Sequence, residues 1–80
     1  MIPLYGFLQG DTLGLLLLVD PEATAQQLAE QLVAAAAVRV AIEPPVHVVF
    51  DGRVLDPRVS VSRAGFRALD RFDVVREVGR

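Results

Sequence analysis

Eighty residues make at most one domain, read as residues 1–80, with one modest hydrophobic core between two packed layers. A hydrophobic fraction of 52% with a formal net charge of −2 excludes the disordered class and a strongly basic nucleic-acid binder. With no cysteine and a single histidine, His47, the chain has neither disulfide staples nor a thiolate or His-rich metal site, and no cofactor is expected.

The first apolar stretch, Ile2 to Leu8, ends at Gln9-Gly10-Asp11, a turn, and Thr12 to Val19 resumes the apolar pattern, so the two make a β-hairpin. Pro3 sits near the start of its strand, where a missing amide hydrogen is tolerable. The run Leu13 to Val19 is broken by Gly14 and is far shorter than the roughly 20 residues that cross a bilayer. No basic residue precedes the first apolar stretch, unlike a signal peptide, so a soluble protein without a membrane partner is expected, and the lack of cysteine fits a reducing cytoplasm.

Asp20-Pro21 breaks the second strand, and Thr24 stands three residues before Gln27 in a capping-box arrangement that starts a helix. Ala25, Leu28, Ala29, Leu32 and Ala36 recur on one face, which is expected to lie on the sheet, and the alanine run carries the helix to about Val38. Pro44-Pro45 stops any continuation and leads into a strand over Val46 to Phe50. Asp51-Gly52, the dipeptide favoured in tight hairpins, then returns the chain through Arg53-Val54-Leu55. Ser60 to Ala64 is expected to make one helical turn, Gly65 a sharp reversal, and Phe72 to Val78 the last strand. Within it, Phe72, Val74 and Arg76 alternate with Asp73, Val75 and Glu77. The order is ββαββ, a short turn, and β.

This layout resembles ubiquitin along nearly the whole chain. Leu8-Gln9-Gly10-Asp11-Thr12 looks like ubiquitin's first turn, Asp20 to Thr24 like the lead into its helix, and Ile42-Glu43-Pro44-Pro45 like its post-helix segment. Val48 to Leu55 is similar to its second hairpin. The resemblance implies an α+β, β-grasp fold: a mixed sheet of order 2-1-5-3-4 packed on one α-helix, with the second strand on an edge.

A closer likeness is to the small ubiquitin-like subunit of bacterial toluene and related aromatic monooxygenases. It is carried by Leu16-Leu17-Leu18-Val19-Asp20, by Ala23 to Glu30, and by Val61 to Arg67 leading into Phe72-Asp73-Val74-Val75. It departs at Asp51-Gly52, where this chain has the tighter hairpin. This resemblance implies a non-catalytic subunit of a multicomponent diiron hydroxylase whose metal ligands belong to the large subunit.

The residues themselves offer poor catalytic candidates. His47 has no cysteine or second histidine beside it, Ser60 and Ser62 flank a turn, and Asp70 and Asp73 imply no cleft. Gly10, Gly14 and Gly52 lack the spacing of a phosphate loop. Residues 1–40 carry Arg39 against four acids and residues 41–80 carry seven arginines against six, so neither half is a basic field for nucleic acid. Lysine is absent, leaving no side-chain amine to accept an isopeptide bond.

Binding surfaces carry more weight. By the ubiquitin resemblance, Leu8, Val49 and Val75 fall in an apolar recognition patch facing away from the helix, although Asp73 replaces that patch's histidine. In the second strand, Leu13, Leu15, Leu17 and Val19 are expected to face the core, leaving Leu16 and Leu18 outward on an edge that another subunit covers. A shifted register, or a homodimer burying both sides of that strand, is the competing explanation.

Two further functions belong to other classes. A ubiquitin-like modifier or sulfur carrier activated at its C-terminus needs a flexible Gly-Gly tail, whereas this sequence ends Val78-Gly79-Arg80. A free-standing bacterial adaptor rests on fold analogy alone.

Overall fold

The structure is a computed structural model that describes residues 1–77. Val78, expected to end the last strand, lies outside the described residues, as does the Gly79-Arg80 terminus. The elements in chain order are β1 (Ile2–Leu8), β2 (Gly14–Val19), α1 (Ala25–Ala36), β3 (Val46–Phe50), β4 (Arg53–Val54), α2 (Val61–Ala64) and β5 (Arg71–Arg76). They form a five-stranded sheet of order β2-β1-β5-β3-β4, with α1 across one face. β1 and β5 pair in parallel and every other pairing is antiparallel.

The β1–β2 turn is held by its own polar groups. Gly10 adopts φ +90°, and the Asp11 amide donates to the Leu8 carbonyl at 2.9 Å. Asp11 Oδ1 also accepts from the Leu13 amide at 3.2 Å, which commits that amide to the turn and starts β2 at Gly14 rather than Thr12. Leu13, expected in the core, is consequently 53% exposed.

The capping box opens α1 as its sequence implies: Thr24 Oγ1 accepts from the Gln27 amide, and Gln27 Oε1 accepts from the Thr24 amide. All five residues of the apolar stripe are buried, Leu28 and Leu32 completely. Full burial of a leucine contributes about 1.5–3 kcal/mol, so this stripe is the main anchor of α1. The helix ends at Ala36, two residues before the expected stop. Beyond it Val38 is exposed, and the Arg39 and Val40 amides both donate to the Ala36 carbonyl at 2.9 Å. Helix propensity alone does not hold a further turn that packs on nothing.

Close approach of α1 to β1 depends on Gly6. A Cβ there would stand 2.7 Å from Phe72 Cζ and 2.9 Å from Leu32 Cδ1, so the ring and the leucine occupy the space that a side chain would need. Asp51 and Gly52 both take positive φ, 55° and 75°, which matches the twist of the β3–β4 hairpin. Ser60 caps α2 by accepting from the Arg63 amide, and Gly65 ends it at φ +91°. The starts of the two helices are laced together: the Ala25 amide donates to Val59, and the Val61 amide to Ala23, each at 2.8 Å. The end of the core under β3 is closed by aromatic rings, with Phe50 stacked on Phe66 at 3.9 Å between centroids and Phe66 edge-on to Phe72 at 6.1 Å.

Candidate protein-docking surface

Because side chains alternate along a strand, one face of the sheet packs on α1 and the other is left without a covering layer among the described residues. Leu15, Leu17 and Val19 of β2 point to the helix, and Leu16 and Leu18 point away, 54% and 60% exposed. Their cross-strand partners in β1 are Tyr5 and Pro3. β1 also sets half-buried Phe7 on this face, β5 contributes Arg71, Asp73 and Val75, and β3 contributes His47 and Val49. Val54 of β4 pairs with Val49 and extends the face to the far edge, 62% exposed.

Four of the five residues assigned to partner binding from sequence therefore share this face: Leu16, Leu18, Val49 and Val75. They form two groups. Leu16 and Leu18 lie on β2, while Val75 lies on β5, two strand spacings or about 10 Å across the sheet, and Val49 on β3, three spacings or about 14 Å.

Leu8 does not belong with them. It is 2% exposed and packs in the core, because β1 turns Leu4, Gly6 and Leu8 toward the helix. Phe7 stands on the outer face where Leu8 was expected. The phase error arises because Phe7-Leu8 are both apolar and Gly6, the small core position that fixes the alternation, has no hydrophobic side chain to announce it. Tyr5 and Phe7 were missed for the same reason, and Val54 because its strand, β4, is two residues long and carries no alternation to read.

The charges on the face are paired along the surface. The Arg71 guanidinium lies 4.0 Å from the Phe7 ring centroid, and its Nε donates to Asp73 Oδ1 at 3.0 Å. His47 Nε2 lies 3.2 Å from Glu77 Oε1 at the end of β3. A flat apolar field with its charges tied down in this way suits contact with another protein surface.

Away from this face, Arg39 fastens the end of α1 to the β1–β2 turn, with Nη2 2.7 Å from Asp11 Oδ2 and Nε 3.4 Å from Oδ1. That hydrogen-bonded guanidinium holds the Asp11 carboxyl below its ordinary value, and the Asp11 side chain is only 4% exposed. Asp56 is lowered as well, by the Arg58 amide and then by the Arg58 side chain. The remaining candidate reactive groups are engaged locally: Ser60 caps α2, Ser62 Oγ lies 3.3 Å from Ser60 Oγ, and Asp70 Oδ2 accepts from the Arg67 amide. Among the described residues no three His, Cys, Asp or Glu side chains are grouped to hold a metal ion, and no helix is long and apolar enough to cross a membrane.

A family model described as toluene-4-monooxygenase system protein B (TmoB) matches residues 1–75. No curated protein matches the chain. Among solved structures, one chain of a toluene 4-monooxygenase HD complex with the inhibitor 4-bromobenzoate is 22% identical, covering 95% of this chain and 98% of that one, at a TM-score of 0.88. Ubiquitin of Caldiarchaeum subterraneum is 20% identical over 98% of this chain and 95% of its own, at a TM-score of 0.77. The UBL domain of Plasmodium falciparum Dsk2 is 20% identical over 95% of this chain and 97% of its own, at 0.74. These likenesses establish the α+β, β-grasp fold.

Proposed function

The chain belongs to the toluene-4-monooxygenase system protein B (TmoB) family, and from that membership we propose that it is a non-catalytic accessory subunit docking on a larger, diiron-bearing hydroxylase subunit. The observation that carries the reading is the uncovered apolar sheet face, where Leu16 and Leu18 stand more than half exposed beside Tyr5, with Phe7, Val75 and Val49 farther across the same face. Leaving such side chains in water forgoes the burial that stabilises them, at about 25 cal/mol per Å² of apolar area, so a second protein surface is their natural cover. A β-grasp fold suits this role because its sheet face is rigid and needs no rearrangement to present a docking patch.

Chemistry in such a complex belongs to the larger subunit. Here His47, Ser60, Ser62, Asp70 and Asp73 each serve strand, turn or cap structure, and this chain contributes contact area and stability to the assembly. The test is co-expression with the diiron hydroxylase subunits of the same host, followed by size-exclusion chromatography. The protein is expected to co-elute with the hydroxylase and to raise its yield. If it elutes alone while the hydroxylase assembles fully without it, the reading is wrong.

A further inference from the structure

We infer that the outer edge of β2 receives an extended strand from the larger subunit, so that the complex is joined by main-chain hydrogen bonds as a sixth strand of the sheet. This rests on the accessory-subunit reading and specifies how the partner is held. The backbone geometry of the edge is its first support. Pro3 and Tyr5 of β1 direct their backbone groups away from β2: the Leu69 amide donates to the Pro3 carbonyl, and the Tyr5 amide donates to the Asp70 carbonyl at 2.9 Å. Leu18 and Leu16, which face Pro3 and Tyr5 across the ladder, therefore form the non-hydrogen-bonded pairs of the hairpin. Their own amides and carbonyls point to the open side. The Leu18 carbonyl shows this directly, since it accepts from Gln31 Nε2 of α1 at 3.0 Å and from no strand. A carbonyl has two lone pairs, so Gln31 does not close the site to an incoming amide.

The second support is the contrast between the two edges of the sheet. At the far edge, β4 is two residues long and carries Arg53 beside Asp51, the short, charged form that blunts unwanted pairing. At the near edge, Gly14–Val19 is six residues long with no charge, no proline and no bulge in its register with β1. An edge of that kind is a template for strand addition.

The third support separates a larger partner from a second copy of this chain. A stable interface takes roughly 20–30 residues from each side, and two copies paired edge to edge share a six-residue strand with its few neighbours. A larger subunit can lay a strand along β2 and continue over the sheet face toward Phe7, Val75 and Val49. The segment it supplies is extended and uncharged over about six residues, the length of β2, with apolar side chains at alternate positions beside Leu16 and Leu18.

Leu16→Pro tests this directly. Its amide faces outward rather than into the ladder with β1, so proline is tolerated by the free fold at an edge position yet cannot donate to an added strand. Leu16→Ala removes the same exposed side chain and keeps the amide. The probe is the diiron hydroxylase of the same host, purified without this subunit. Leu16→Pro is expected to bind it at least about tenfold more weakly than Leu16→Ala. In the wild-type complex, hydrogen exchange at the Leu16 and Leu18 amides is expected to slow by at least about tenfold relative to the free protein. That second measurement decides the matter even if the proline variant fails to fold. A complex that forms with both amides exchanging at their free rates overturns the strand addition and leaves the accessory role standing, whereas the absence of any complex overturns both.

Discussion

Phe7 lies across Gly14 so closely that a Cβ on the glycine would stand 2.5 Å from the ring's Cζ, and that same ring holds the Arg71 guanidinium at 4.0 Å on the docking face. Gly14 thus has a role beyond hairpin geometry: its bare backbone is the seat on which Phe7 rests, and Phe7 in turn positions a charge. Gly14→Ala is expected to tilt the ring off its seat and separate it from Arg71. The obstructing atoms are the far end of a half-buried side chain, so the stability loss in urea unfolding should stay under about 1 kcal/mol, below the usual range for overpacking a core. The change should be visible as altered ring-current shifts on the Arg71 side chain in NMR spectra.

Gly6 faces the opposite way and should behave differently. Its missing side chain is bounded by Phe72 at 2.7 Å and Leu32 at 2.9 Å, both in the closed core. Gly6→Ala is expected to force α1 off the sheet at a cost of about 1–3 kcal/mol, read from the urea midpoint. A cost close to that of Gly14→Ala would mean that the core yields as easily as the surface.

Leu8 and Val49 provide a paired measurement of which side of the sheet each residue occupies. Leu8 is 2% exposed against the helix, so Leu8→Ala should lose about 2–5 kcal/mol by leaving a cavity. Val49 is half-buried on the outer face, and Val49→Ala should lose less than about 1 kcal/mol. Thermal or urea unfolding of the two variants checks both values, and similar losses would contradict the strand phase described for β1.

That phase marks the boundary of what the sequence makes legible. Strong periodic signals read correctly: the Thr24–Gln27 capping box, the five-residue stripe of α1, the Asp51-Gly52 hairpin and the Phe72/Val74 alternation all appear where their spacing puts them. β2 also reads correctly between Leu15 and Val19, because its edge position and its alternation agree. Signals failed where two neighbouring residues were equally apolar, as at Phe7-Leu8, or where a polar side chain captured a backbone amide, as Asp11 does to Leu13. The stacking of Phe50 on Phe66 and the seating of Phe7 on Gly14 join residues whose separation in sequence carries no period. For the candidate site, the outward leucines of β2 were legible from alternation and the outward placing of Val49 and Val75 from the ubiquitin resemblance, and the arginine resting on Phe7 was not.

The Asp11–Arg39 pair should shape the acid limb of stability. Arg39 lowers the folded-state pKa of Asp11 below the ordinary 3.8, so the unfolded chain takes up a proton first as pH falls. The contribution is therefore complete above the unfolded value and is lost as pH drops through the folded one. Asp11→Asn removes the titrating group, and its stability should fall less steeply than wild type as pH drops below about 4. Chemical unfolding at a series of pH values checks this. Equal slopes would show that the Asp11–Arg39 pair does not shape that limb and would leave Asp56, lowered chiefly by the Arg58 amide, as the carboxyl to test next.

Leu16 and Leu18 bring fold and function into opposition, which makes them the most informative pair to change. Both are more than half exposed, so the free protein gains little from them, and threonine at either position supplies the β-branched shape favoured in strands. The double variant Leu16→Thr, Leu18→Thr should unfold within about 1 kcal/mol of wild type, two surface changes of at most about 0.5 kcal/mol each. The same two side chains should matter far more once a partner covers them, because an apolar anchor that becomes fully desolvated contributes well over 1 kcal/mol to an interface. Affinity for the hydroxylase is accordingly expected to fall by tenfold or more, about 1.4 kcal/mol, in titration calorimetry. Exposed leucines on an open edge also promote self-association, so the double variant should stay monomeric to higher concentration in analytical ultracentrifugation. Unchanged affinity with unchanged stability would remove β2 from the docking surface and leave Val49, Val75 and Phe7 to carry it.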